Sequence, residues 1–201
     1  MQKTVAAVAV YLALSGIAAA QTPPPPAPAQ PPPRPQPVQV MELSTPGWSD
    51  GGIIPAKFSQ VGHDISPALA WRGAPENTQS FVVMVKDLDS LPPRGGDYLL
   101  HWLAWNIPKA SQGLPEGVPQ GAQLPDNMRQ ISMAGPNYKG PSAPPTGPLH
   151  HYLFEVYALD AALAVPAVNG QQPALTQSAV EKAMMGKVLG KGSLVGLFKR
   201  D

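Results

Sequence analysis

Cysteine is absent from all 201 residues. That excludes a disulfide, a thiol nucleophile and a lipid anchor on a cysteine behind a leader. Stability has to come from apolar burial alone. Charge is also scarce, at 13% of residues with a formal net charge of +1. No block of like charge occurs, so there is no electrostatic footprint for nucleic acid and none is expected as a partner. Long apolar runs are nearly missing. The one candidate, Val5–Ala19, follows Lys3 and ends at Ala18-Ala19-Ala20. It is short and alanine-rich for a spanning helix, which wants about 20 strongly apolar residues. Residues 1–20 read as a cleaved secretory signal, leaving no transmembrane anchor and a periplasmic or secreted product; an uncleaved anchor is the weaker alternative.

Proline, by contrast, is plentiful, with 27 residues. Ten of them fall in the stretch QTPPPPAPAQPPPRPQPV, Gln21–Val38. Proline removes backbone donors and fixes φ, and almost nothing here can be buried. Residues 21–39 therefore read as a disordered or polyproline II tether. Residues 40–201 remain, enough for one domain with a single core.

Within that domain β-branched and aromatic runs mark strands. Val38–Leu43 alternates weakly, Leu69–Trp71 starts a strand, and Ser80–Val85 is the most apolar. Tyr98–Ile107 ends at Pro108, His151–Leu159 is the third clear strand, and Ser193–Lys199 is a short last one. Lys109–Gln130 is rich in Gly and Pro and has no period. One helix is visible. Thr176 suits its N-cap, Ser178-x-x-Glu181 has the form of a capping box, and Val180, Ala183, Met184 and Val188 recur at helical spacing from Leu175, with Gly186 and Gly190 as stops. Many strands before one or two late helices predict an all-β-dominated chain, a two-sheet antiparallel β-sandwich rather than a βαβ fold.

A few polar residues do not fit an apolar core. In FVVMVKDLDS, Asp87 and Asp89 end a strand that looks buried, and alternation points them the same way. His101 sits inside LLHWLAW. His150 and Tyr152 share one strand face, and His151 takes the other. For D-x-D alone, and for a lone histidine in an apolar run, solvated turn formers and a satisfied core residue are the bland readings. Together at strand edges they can satisfy one another, and imidazoles with a Tyr hydroxyl can hold an anionic oxygen. Two carboxylates beside them favour a zwitterion, phosphate on His and amine near Asp, over a simple polyanion. A metal is a rival reading, since Asp-x-Asp with His is acceptable ligation, but no metal and no cofactor is expected. A hydrolase is a further rival. It lacks a G-x-S-x-G elbow, and a His–Asp pair alone does not specify catalysis.

The order of motifs is specific. Asp50-Gly51-Gly52, Ile65-Ser66-Pro67, Asp87-x-Asp89, His101-Trp102, Gly140-Pro141, Pro144-Pro145, His150-His151-Tyr152 and Tyr157-Ala158-Leu159-Asp160 follow in turn, then Ala183-Met184 and Gly192-x-Leu194-x-Gly196-x-Phe198-x-Arg200. From about residue 42 to the end the chain resembles the phosphatidylethanolamine-binding protein family, in its bacterial, Raf kinase inhibitor-like branch. The resemblance implies a small anion pocket formed by Asp87, His101, His150 and Tyr152. Asp89 lies adjacent, the loop from Gly140 and Pro141 to Pro145 is a wall, and the C-terminal helix is placed to cover or gate the pocket. Leu88 stands where the family has proline, Ser142-Ala143 adds one residue to the wall loop, and Phe198 replaces a common tyrosine. The function so implied is a non-enzymatic binding protein for a phosphate or phosphoethanolamine-like headgroup, exported on the reading of residues 1–20, with a regulatory role and a protein partner as further expectations. The alternatives are a protease- or kinase-inhibitor-like interaction module and, less favoured, a hydrolase.

Overall fold

A computed structural model describes residues 37–92, 95–167 and 172–201. The stretch read as a signal (1–20) and nearly all of the proline-rich stretch (21–39) lie outside the described residues.

The longest apolar runs become the centre of one sheet. β5 (Ser80–Asp87) pairs antiparallel with both β6 (Leu99–Pro108) and β9 (His150–Leu159), and β9 pairs antiparallel with β10 (Val188–Phe198). Short strands complete the edges. β8 (Arg129–Ile131) joins β6, while β1 (Gln39–Val40) and β3 (Gly52–Ile53) run parallel to opposite ends of β10. A second sheet holds β2 (Glu42–Ser44), β4 (Leu69–Arg72) and β7 (Gly113–Leu114) in the order β2-β4-β7, all antiparallel. The two-sheet, β-dominated architecture is the one the strand pattern implies; the two parallel pairings are additions to it.

Alternation divides the large sheet into two apolar faces. Phe81, Val83, Val85, Trp102, Ala104, Phe154 and Val156 face Leu43, Leu69, Trp71 and Leu114 of the small sheet, with Trp71 and Phe81 ring centroids 5.2 Å apart. On the other face, Val82, Met84, Leu103 and Trp105 pack with Leu163, Val165, Val180 and Met184. Both faces are buried, which is why β5 reads as an unbroken apolar run.

Several elements differ from the sequence expectation. The strand expected over Val38–Leu43 is two, parted at Met41, whose N–H donates to Lys191 O. Gln39, inside the stretch read as tether, already pairs with Gly190. The unpatterned 109–130 segment holds β7 and the start of β8, both too short to show a period. The last strand starts at Val188, five residues before Ser193, and includes Gly190. Its glycines conceal it: a Cβ on Gly196 would stand 2.4 Å from Ile54 Cγ1 and one on Gly192 2.7 Å from Met41 O, so close approach of neighbouring chain removes the side chains that mark a strand.

The helix α1 (Pro173–Met184) begins earlier than Thr176. Pro173 occupies the first turn, where its missing N–H costs nothing, and Gln172 caps the end with φ 66°. Thr176 is buried inside the helix, and Glu181 accepts from Gln177 and Tyr98 on its flank, so Ser178-x-x-Glu181 is not a capping box. The chain leaves at Gly186, φ +74°. Because Val180 and Met184 pack on the outer face of the large sheet, α1 lies across the sheet from the inner face that carries Asp87 and Tyr152. It does not cover that end of the sandwich.

Candidate functional site

Asp87 is the last residue of β5 and stands directly opposite Tyr152 in the β5–β9 ladder. His150, two residues before Tyr152, shares its face. Both follow the alternation. His101 does not. Leu100 and Leu103 pack on the outer face, and Trp102 on the inner. The β5–β6 register slips here, with Val85 opposite Trp102 but Lys86 opposite Leu100, which leaves His101 as the unpaired extra residue of a β-bulge. A bulge re-aims a side chain. It brings the His101 ring edge-on to Tyr152, at 5.2 Å between centroids and 87° between planes. The His150 ring lies nearly parallel to Tyr152, 6.4 Å away. Asp87, His101, His150 and Tyr152 thus meet at one end of the inner face.

The hydrogen bonds fix the roles. His150 Nδ1 donates to Asp87 Oδ2 at 2.9 Å; the Asp89 backbone N–H donates to Oδ1 at 2.9 Å, and the Ser90 hydroxyl to Oδ2 at 2.9 Å. The buried carboxylate is well supplied with donors. His101 Nδ1 lies 2.7 Å from Lys139 O and 3.1 Å from Gly140 O. Both partners only accept, so Nδ1 carries the hydrogen. Nε2 of the same ring is buried and has no partner. Burial above all pushes the His101 imidazole below its usual value; the Lys139 and Gly140 carbonyls and the charges of Asp87 and Asp64 offset this only in part. The Tyr152 hydroxyl accepts from Ser142 N–H at 3.2 Å. Burial first, then the Asp87 charge, pushes the phenol upward, so it keeps its proton at neutral pH.

The wall loop is tied down on several sides. Gly140 N–H donates to Asp64 Oδ1 at 2.9 Å, and Lys139 pairs with Asp64 Oδ2 at 2.7 Å. Gln60 donates its side-chain amide to Gly140 O (2.8 Å) and its backbone N–H to Pro141 O (3.0 Å). A Cβ on Gly140 would sit 2.3 Å from Phe58 O, so only glycine allows the loop this close. Asp64 therefore holds the two carbonyls that orient His101. It escaped the sequence reading because its part is set by a φ of +52° and by contacts 75 residues away. Ser90 was also missed, although its place just beyond Asp87-x-Asp89 was a local hint.

Asp89 stands apart from the other expected site residues. β5 has ended before it, so strand alternation no longer governs its direction. Its carboxylate accepts from the His151 N–H at 2.6 Å and lies 3.0 Å from His151 Nδ1, on the exposed side. The backbone N–H of His151, foremost, holds the Asp89 carboxyl below its usual value.

Ser90, His150 and Asp87 lie together but do not form a nucleophilic triad. Ser90 Oγ is 3.4 Å from the same Nδ1 that binds Asp87, whereas a triad needs opposite ring nitrogens for acid and nucleophile. No cluster of three or more His, Asp or Glu suited to a metal ion occurs among the described residues.

Comparison with known proteins bears on the family and the fold. The family model described as phosphatidylethanolamine-binding protein matches residues 44–199. A UPF0098 protein of Methanothermobacter thermautotrophicus is 37% identical over 162 residues, 80% of this chain and 99% of its own length. The UPF0098 protein YbhB of Escherichia coli is 38% identical over 128 residues, 60% of this chain and 78% of its own. A crystal structure of a phosphatidylethanolamine-binding protein homologue from Chlamydia trachomatis superposes with a TM-score of 0.66 at 29% identity, covering 81% of this chain and 99% of the other. Ordered motifs, sandwich topology and matched sequence span converge, and the chain belongs to the phosphatidylethanolamine-binding protein family.

Proposed function

We propose that this chain is an exported binding protein whose inner-face cluster takes a phosphate group, free or as a phosphoethanolamine-type headgroup. The observation that carries the reading is the unpartnered, buried Nε2 of His101, beside a Tyr152 hydroxyl that keeps its proton and a His150 ring at the mouth of the same corner. A buried polar atom without a partner calls for one, and a ligand oxygen that carries a proton into this corner supplies it. The carboxylates offer less to an amine. Asp87 already takes three donors, and Asp89 binds His151. The phosphate is therefore what the site recognises, and the rest of the ligand extends outward. Export to the periplasm or beyond follows from the reading of residues 1–20 as a leader.

Crystals soaked with phosphoethanolamine test this. The expected result is phosphate density between His101 and His150, with an oxygen within hydrogen-bonding reach of Tyr152 Oη. An empty corner at saturating ligand, or density on the Asp89–His151 side, would refute it.

A further inference from the structure

An anion site ought to present donors, yet the most buried nitrogen in this one is an acceptor. His101 is 1% exposed. Its Nδ1 is committed to two carbonyls, so in the neutral ring Nε2 is a lone pair pointing away from that loop. A fully ionised phosphate presents only lone pairs. Oxygen and nitrogen would repel unless a hydrogen stands between them.

We infer that the pocket binds phosphate together with one proton, shared between a phosphate oxygen and His101 Nε2, and for that reason prefers phosphomonoesters to phosphodiesters. The inference rests on the anion-site reading above and specifies the ligand's chemistry. A monoester has a second ionisation near pH 6, so close to neutrality it readily brings this proton with it. A diester has none to bring. Its proton must be taken up by the imidazole, against the burial that opposes a cation there.

The groups facing His101 come from every side. Asp87 lies on β5, Tyr152 and His150 on β9, Asp64 in the segment before β4, and Lys139 in the loop before β9. Asp64 is paired with the Lys139 ammonium, and the Asp87 carboxylate is shared among three donors. These negative charges do not outweigh burial, so the ring awaits its ligand neutral.

Calorimetric titration of the full chain with phosphoethanolamine and with glycerophosphoethanolamine, each in Tris and in HEPES, counts the protons. For the monoester, uptake of about one proton is expected at about pH 8, falling toward zero near pH 5.5, with affinity declining roughly tenfold between pH 7 and 8. The diester should bind at least about tenfold more weakly. Imidazole ¹⁵N spectra of the wild-type protein locate the proton: the Nε2 resonance of His101 should move from the unprotonated toward the proton-bearing position when phosphoethanolamine binds at about pH 8. Binding without proton uptake, equal affinity for the diester, or uptake with an unmoved His101 resonance overturns the inference but leaves the anion site standing. No binding of either compound at any pH overturns both.

Discussion

His150 and His151 are neighbours in sequence and opposed in space. The first donates to the buried Asp87, with its side chain 13% exposed; the second meets Asp89 in solvent, 56% exposed. His150→Ala removes one charge-assisted bond from the site, and phosphoethanolamine affinity should fall by about 1.5–3 kcal/mol, roughly ten- to a hundredfold. It also takes a donor from a buried carboxylate, so the fold should persist with about 1–3 kcal/mol less stability. His151→Ala loses an exposed pair worth about 0–1 kcal/mol and should leave affinity unchanged. Titration calorimetry and thermal melts of both variants decide the matter. A larger loss of affinity at His151 would put the ligand on the outer side of the strand.

At the scale of elements, the three central strands are joined on their outer face by charge. Glu155 in the middle of β9 bonds Lys86 of β5 at 2.6 Å, Lys191 of β10 at 2.5 Å and the Tyr157 hydroxyl at 2.8 Å. Burial alone would raise the Glu155 carboxyl, but the two lysines outweigh it and hold it below its usual value. A carboxyl depressed in the folded state stabilises the fold above its unfolded pKa, about 4.3, and that contribution is lost as pH falls through the lower folded value. Wild-type stability should thus decline on acidification below about pH 4. Glu155→Gln should cost about 2–3 kcal/mol at neutral pH, since Lys86 is left half-buried and unpaired while Lys191 can turn to water. The variant's acid decline should be shallower. Urea denaturation across the pH range reads both effects, and an unchanged neutral stability would mean that both lysines find solvent without loss.

The helix permits a cleaner separation. Val180 is fully buried against the outer face. Val180→Ala should cost about 2 kcal/mol with phosphoethanolamine affinity unaltered, because the sheet stands between helix and site. Weakened binding in a variant that melts normally would restore a gating role for α1.

For the whole molecule, the buried apolar residues among those described run from Met41 to Phe198. The proline-rich stretch before Pro37 has, by composition, little to contribute to a core. A chain begun at Pro37 should melt within about 2 °C of one begun at Gln21, and, on the proposal of export, intact mass of the protein made by cells should show Gln21 as its first residue. A drop of many degrees would mean that the proline-rich stretch packs on the sandwich, and a retained Met1 would contradict cleavage.

Local signals were enough for part of this. Apolar runs bounded by turn residues identified β5, β6 and β9 and a β-rich sandwich, because a strand buried on both faces writes its burial directly into its composition. Two-residue periodicity put His150 with Tyr152 and set His151 apart. The ordered motifs carried the family resemblance. Tertiary structure alone decided the rest. The bulge that turns His101 inward is a mismatch between two strands and is invisible in either. Asp89 leaves the cluster because the ladder has already ended. β10 hides its length behind glycines demanded by Met41 and Ile54. Asp64 orients His101 only through a loop that reaches it from Lys139 and Gly140. Periodicity records which way a residue points along its own strand; which partner waits there depends on contacts between segments far apart in the chain, and no short window of sequence contains both.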